Sequence, residues 1–293
     1  MITIWEIDYY SRPVLDENQK KVWELVICES ELDSTPLHGF RYTEFCPGTQ
    51  VNSIWLQSAL ANAIQQAPHP PDRIRFFRRQ MFNMISKACS DLGIPAAISR
   101  RTHTLSRWLN ERHSDFYPNQ PGYQPSQNPS VQFEVPIAQP LPDALIGERW
   151  AFVNLEVGDF VEMGDWSIDF GERFSLTPLG MNPQTKIPGL IVFSRRALPI
   201  AAWLSGLELA YLEVETISNS GDQGVASTRL VLETGMSDRW IMASFNDSPT
   251  QLEAKRFESA KASANQVHFL ALQTHPEAQS FTGFWMLQKL NVL

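Results

Sequence analysis

Nine cationic side chains crowd into forty positions: Arg73, Arg75, Arg78, Arg79, Lys87, Arg100, Arg101, Arg107 and Arg112, against only Asp91 and Glu111. That stretch is formally +7 in a chain of 293 residues that carries −8 overall. A positive field on a negative body draws polyanions to one face and repels them elsewhere. Phe76, Phe77, Phe82 and Trp108 lie in the same stretch. Guanidinium interleaved with aromatic rings suits RNA or single-stranded nucleic acid, where phosphates are neutralised and splayed bases stack. A solvated helical face with its rings turned into the core has the same composition, so charge alone leaves both readings open.

The carboxylates offer other chemistry. Asp8 and Glu24 have the parity to share one sheet face, and Asp72 precedes a further strand. Two-metal phosphodiester cleavage also needs an acid on the first helix, and Val51–Gln65 contains none. Glu213, Glu215 and Glu233 could form a second acidic set, but Thr234 and Gly235 follow Glu233 where a Glu-x-Lys signature would place its lysine. His38, His69, His103, His113, His268 and His275 form no zinc-binding pair. Neither a Gly-rich phosphate loop nor a Gly-x-Ser-x-Gly turn is present. Ser218-Asn219-Ser220-Gly221 reads as a polar loop between strands. Cys28, Cys46 and Cys89 are isolated and read as buried thiols in a reducing compartment. The expectation is a protein without catalysis, metal or cofactor.

These side chains need elements to position them. A hydrophobic fraction of 43% with 19% charged residues is that of a folded globular protein, and the length suits two cores. No apolar run approaches a membrane span. The chain enters a strand pattern at Met1-Ile-Thr-Ile-Trp with no signal or transit segment before it, which leads us to expect a cytoplasmic protein.

Ile2–Tyr10, Lys21–Glu29 and Phe40–Phe45 read as strands, with Asp16-Glu17-Asn18-Gln19 as the first hairpin loop. Val51–Gln65 has helical spacing, Arg73–Phe76 is a short strand, and Phe77 to Leu92 repeats as an amphipathic helix capped by Gly93. That helix is expected to show Arg79, Asn83 and Lys87 to solvent. Ile94–Ile98 and a helix through Leu105, Trp108 and Leu109 complete residues 1–117. Three antiparallel strands followed by alternating helices and strands is a ribonuclease H-like element order. Pro118, Pro121, Pro125, Pro129, Pro136, Pro140 and Pro142 mark 118–148 as a linker or strap.

Residues 149–293 read as a second α/β or α+β domain. Ala151–Val157, Phe160–Glu162 and Gly189–Ser194 are expected strands, the last two separated by a Gly- and Pro-rich loop. Then come a helix over Ala197–Leu207, strands at Leu209–Glu215, Thr228–Glu233 and Arg239–Phe245, a helix over Leu252–Asn265, and a strand at Val267–Gln273.

Several strings together resemble one family. They are Ser11-Arg12-Pro13, Lys21-Val22-Trp23-Glu24-Leu25, Arg78-Arg79-Gln80-Met81, Ser99-Arg100-Arg101-Thr102 and Leu198 to Leu209, followed by Arg239-Trp240, Phe257 to Lys261, His268 to Ala271 and Gly283 to Leu287. The chain resembles the Tab-type A/U-rich RNA-binding proteins of cyanobacteria and chloroplasts across both domains. The resemblance implies single-stranded A/U-rich RNA as partner. It also implies activation of translation of photosystem messages, with the translation machinery as a further partner. The lack of a transit segment makes the chain more similar to a cyanobacterial member, whereas plant relatives work in the chloroplast stroma. The family's C-terminal Trp-Leu-Leu tripeptide maps to Trp285, Met286 and Leu287, which either touch RNA or close the second core. Charge geometry, independently, offers Arg73, Arg75, Arg78, Arg79, Lys87, Arg100, Arg101, Arg107 and Trp108 as RNA contacts, with Arg78, Arg79, Arg100 and Arg101 foremost. The alternatives from other classes are a metal-dependent nuclease, using Asp8 and Glu24 or Glu213, Glu215 and Glu233, and a protein–protein assembly factor.

Overall fold

The computed structural model describes residues 3–31, 39–125, 136–217 and 227–290. Pro129 and the Ser218–Gly221 loop expected from the sequence lie outside them. The chain divides into two compact units, Met1–Gln132 with Leu290–Leu293, and Phe133–Lys289. The division thus falls inside the proline passage.

The first unit is built on β1 (Ile4–Leu15), β2 (Lys21–Glu29), β3 (Arg41–Cys46), α1 (Ser53–Gln66), β4 (Arg73–Phe76), α2 (Phe82–Asp91), β5 (Ala96–Ile98) and α3 (His103–Glu111). Its sheet runs β3-β2-β1-β4-β5, antiparallel through β1 and parallel from β1 to β5. The Asp16 carboxylate closes the first hairpin by accepting from the Asn18 and Lys20 amides, while Gln19 takes φ 61°. Asn52 caps α1 with its side-chain oxygen on the Ile54 and Trp55 amides. Gly93, at φ 72°, ends α2 in the left-handed conformation that a side chain would oppose.

Alternation along β1 gives the sheet two unlike faces. Trp5, Ile7 and Tyr9 join Leu25, Ile27, Leu56, Leu60 and Ile85 in the core beneath α1 and α2. Glu6, Asp8 and Arg12 point to the opposite face, where Val26, Cys28, Phe77, Leu105 and Leu109 pack under α3.

The expected helix from Phe77 is corrected here. Phe77 is buried on the α3 face, Arg78 is extended and tied to Asp8, and a 3-10 turn over Arg79–Met81 delays α2 to Phe82. Past α3 the chain winds through Arg112–Phe116 and Tyr117–Asn119, then pairs Val14 with Tyr123. The described start of the proline passage therefore packs on β1.

The second unit contains β6 (Gln139–Pro140), β7 (Arg149–Glu156), β8 (Ile168–Glu172), β9 (Lys186–Phe193), α4 (Ala197–Ser205), β10 (Leu209–Ile217), β11 (Ser227–Thr234), β12 (Asp238–Phe245), α5 (Ser248–Ser263), β13 (Val267–Gln273) and β14 (Phe281–Gln288). They form two sheets, β10-β11-β12-β6 and β7-β9-β13-β14-β8. The expected strand at Phe160–Glu162 is instead part of a 3-10 segment, Val157–Asp165, started by a reciprocal cap in which Asp159 accepts from the Glu156 amide. The five-stranded sheet is buried on both faces. Leu190, Leu270, Trp285 and Leu287 enter one core, and Ile187, Phe269, Phe284 and Met286 the other. Gly189 lets β9 cross the Phe269 ring, which a Cβ would meet at 2.2 Å.

Candidate nucleic-acid interface

The parallel strands decide which cations meet. Phe76 and Ile98 are register partners, and the Ser99 amide donates to the Phe76 carbonyl at 2.7 Å. The loops after β4 and β5 therefore leave the sheet side by side, one carrying Arg78-Arg79 and the other Arg100-Arg101, with Arg78 reaching Asp8 of β1. Loops at the carboxyl ends of parallel strands are a common location for ligand sites.

Those four arginines do not share one fate. Arg79 is exposed, Arg100 half-buried and Arg101 buried. Arg78 keeps only 10% of its side chain exposed and grips Asp8, with Nε donating to Oδ1 at 2.6 Å. Arg73 is exposed but starts β4, at the other end of the strand. Arg75 is buried, in register with Glu6. Lys87 is exposed and pairs with Asp91 at 2.8 Å. Arg107 binds Glu31, and Trp108 is half-buried between Arg41 and Arg112, 5.0 and 5.5 Å from its centroid. Arg73, Arg79 and Lys87 are thus exposed and Arg100 half-buried. Arg75 and Arg101 lie in the interior.

Behind the loops lies a buried ion network in which Asp8 and Glu24 share a face. Arg12 bridges them, Nη1 donating to Asp8 at 2.8 Å and Nε to Glu24 at 2.9 Å. Arg112 also donates to Glu24, and the Tyr117 hydroxyl donates to Glu24 at 2.5 Å. Burial pushes the Asp8 carboxyl upward, but Arg78 and Arg12 outweigh it and hold its pKa below the ordinary value. Glu6, on the same face, accepts from the Leu105 amide at 2.8 Å and the Ser30 hydroxyl at 2.7 Å. It thereby caps α3 from another strand, in place of Thr102, whose side chain makes no capping bond. Burial outweighs those bonds and raises Glu6 to about 7.

The acids of the second unit are also taken up by cations. Arg239 donates to both Glu215 and Glu233, Arg229 to Glu215 at 2.9 Å, and Lys289 to Glu213 at 2.5 Å. Nearby, side chains satisfy outward backbone groups at Leu212 and Val214 of the edge strand β10. The Leu212 amide donates to His268 Nε2 at 2.8 Å, its carbonyl accepts from Lys261 at 2.5 Å, and the Val214 amide donates to Glu258 at 2.9 Å. Burial first, then Lys261, holds the His268 pKa well below normal, consistent with a neutral ring donating from Nδ1 to the Gln266 carbonyl. Trp285, Met286 and Leu287 are buried at 3%, 2% and 1% exposure, on alternate faces of β14. Sequence reasoning missed Arg12, Arg112, Tyr117 and Glu6. Parity with Asp8 was the available signal for Arg12 and Glu6, whereas nothing local marks Tyr117.

The arrangement is that of an α/β protein in which buried arginines hold the acidic clusters and further cations reach the surface. The chain belongs to the RNA-binding protein Tab2/Atab2 family, whose N-terminal profile matches residues 4–112 and whose C-terminal domain profile matches 128–288. Among curated relatives, the Protein TAB2 homolog, chloroplastic, of Zea mays is 38% identical over 98% of this chain and 71% of its own length. The protein of the same name from Arabidopsis thaliana is 37% identical over 97% and 74%. Among the described residues no helix is long and apolar enough to cross a membrane, and no group of three or more His, Cys, Asp or Glu side chains could hold a metal ion.

Proposed function

We propose that this chain binds single-stranded, A/U-rich RNA without catalysis and promotes translation of photosystem messages. The observation that carries the reading is the pair of adjoining loops bearing exposed Arg79 and half-buried Arg100 on an RNA-binding family member whose net charge is −8. Arg73 and Lys87 extend the phosphate contacts away from those loops. The sheet order also supports a ribonuclease H-like reading of the first unit, with guanidinium donors on the carboxylates that a nuclease would need for metal. Bound protein would hold a 5′ untranslated region single-stranded or bring the initiation machinery to it. Trp285, Met286 and Leu287 contribute by closing the core of the second unit.

Fluorescence anisotropy with A/U-rich and G/C-rich single strands tests the reading. Preferential, salt-sensitive binding to the first is expected, with the RNA intact after incubation with magnesium or manganese. Equal weak binding to both, or cleavage lost on replacing Asp8 and Glu24, would overturn it.

A further inference from the structure

The ion network of the first unit ends in aromatic rings. The Arg78 guanidinium, fixed by Asp8, lies 4.0 Å from the centroid of Tyr10. Arg112, fixed by Glu24 and by the Tyr117 hydroxyl, lies 4.0 Å from the centroid of Phe116. Both rings are half-buried. Trp23 sets its edge against Tyr10 at 5.6 Å, and Tyr117 does the same to Phe116 at 5.5 Å. Each ring is thus braced by a cation that buried partners hold in place, so its orientation is set before any ligand arrives. The surroundings are cationic: Arg12, Arg78 and Arg112 meet Asp8 and Glu24 among the described residues. The neighbouring His113 is held below its normal pKa first by burial and then by Arg12 and Arg78.

Rigid aromatic faces at the rim of a cationic centre are what single-stranded nucleic acid uses when bases stack and phosphates are neutralised nearby. We propose that Tyr10 and Phe116 are stacking platforms for unpaired bases of RNA whose phosphates engage Arg79 and Arg100. This assignment rests on the RNA-binding function proposed above and names the groups that would touch bases. In a protein using these rings only to shield the ion network, base stacking would contribute nothing to affinity.

The test uses the purified 293-residue chain, a short labelled uridine-rich RNA, and inorganic polyphosphate as a polyanion without bases. Tyr10→Leu and Phe116→Leu keep apolar bulk and remove the aromatic face, whereas Tyr10→Phe retains it. Each leucine variant is expected to weaken RNA binding about ten-fold, with polyphosphate binding unchanged and Tyr10→Phe close to wild type. Folded leucine variants that bind RNA like wild type, or that lose RNA and polyphosphate equally, would overturn the stacking assignment alone. Wild-type protein that binds no RNA would overturn both this assignment and the proposed function. Should the leucine variants not fold, photocrosslinking of wild type to thiouridine-substituted RNA decides. Adducts at Tyr10 or Phe116 support the platforms, and adducts confined to other residues contradict them.

Discussion

Arg12 is the residue on which the first unit's polar face depends. It is 2% exposed and satisfies two carboxylates at once, so its planar fork cannot be replaced by a point charge. Arg12→Met is expected to cost about 3–5 kcal/mol in urea unfolding, because Asp8 and Glu24 lose their shared donor in the interior. Arg12→Lys should recover little of that. Glu6 makes a prediction of opposite character. Its pKa is raised from 4.5 to about 7, so across that window the folded state holds a proton that the unfolded chain has released. Stability contributed by Glu6 is then fully present below 4.5 and declines as pH rises to about 7, by up to about 3 kcal/mol. Glu6→Gln should flatten that part of a stability–pH curve, and an unchanged curve would contradict the burial argument. Part of this was legible beforehand: parity placed Asp8 and Glu24 on one face, and the helix without acids argued against a metal pair. The partners were not legible, because Arg112 and Tyr117 reach Glu24 across 88 and 93 positions of sequence.

At the scale of elements, periodicity located β2, β4, α1, α3, β12 and β13 closely. It failed where a tertiary contact overrides the local pattern. Asp8 pulls Arg78 out of the expected helix, and Asp159 turns the chain at the expected strand Phe160–Glu162. β8 and β14 were missed for another reason: Gly171 and Gly283 interrupt their patterns, yet both are needed for close approach. A Cβ at Gly171 would meet the Phe284 carbonyl oxygen at 2.1 Å, and one at Gly283 the Trp285 ring at 2.4 Å. Once β14 is a central strand, Trp285 has no choice but the core. Trp285→Ala is expected to cost about 3–5 kcal/mol, and its RNA affinity should fall only in proportion to the unfolded fraction seen by circular dichroism. A folded variant that has lost binding would instead assign Trp285 a direct contact. Gly189→Ala should destabilise the second unit by about 1–3 kcal/mol, read by thermal melting, by driving Phe269 off its stack with Phe284.

Across the whole molecule, charge was legible as a sum and misleading as a map. The forty-residue stretch carries its +7 in sequence, but folding buries Arg75, Arg101 and Arg112 and ties Arg78 and Arg107 to carboxylates. The strings that carry the family resemblance divide accordingly. Arg12, Glu24, Arg239, Glu258, Lys261, His268 and Trp285 hold the fold together, while Arg79 is exposed and Arg100 half-buried. The most direct test of the proposed interface is the salt dependence of single-stranded RNA binding by wild type and by Arg79→Glu/Arg100→Glu, both confirmed folded. Counterion release contributes roughly −0.7 to the logarithmic salt slope for each neutralised phosphate on a single strand. The variant is expected to bind at least about ten-fold more weakly at low salt, with a slope shallower by roughly 1.4. A folded variant with wild-type affinity and slope would contradict the assignment of the β4 and β5 loops as the RNA-binding edge.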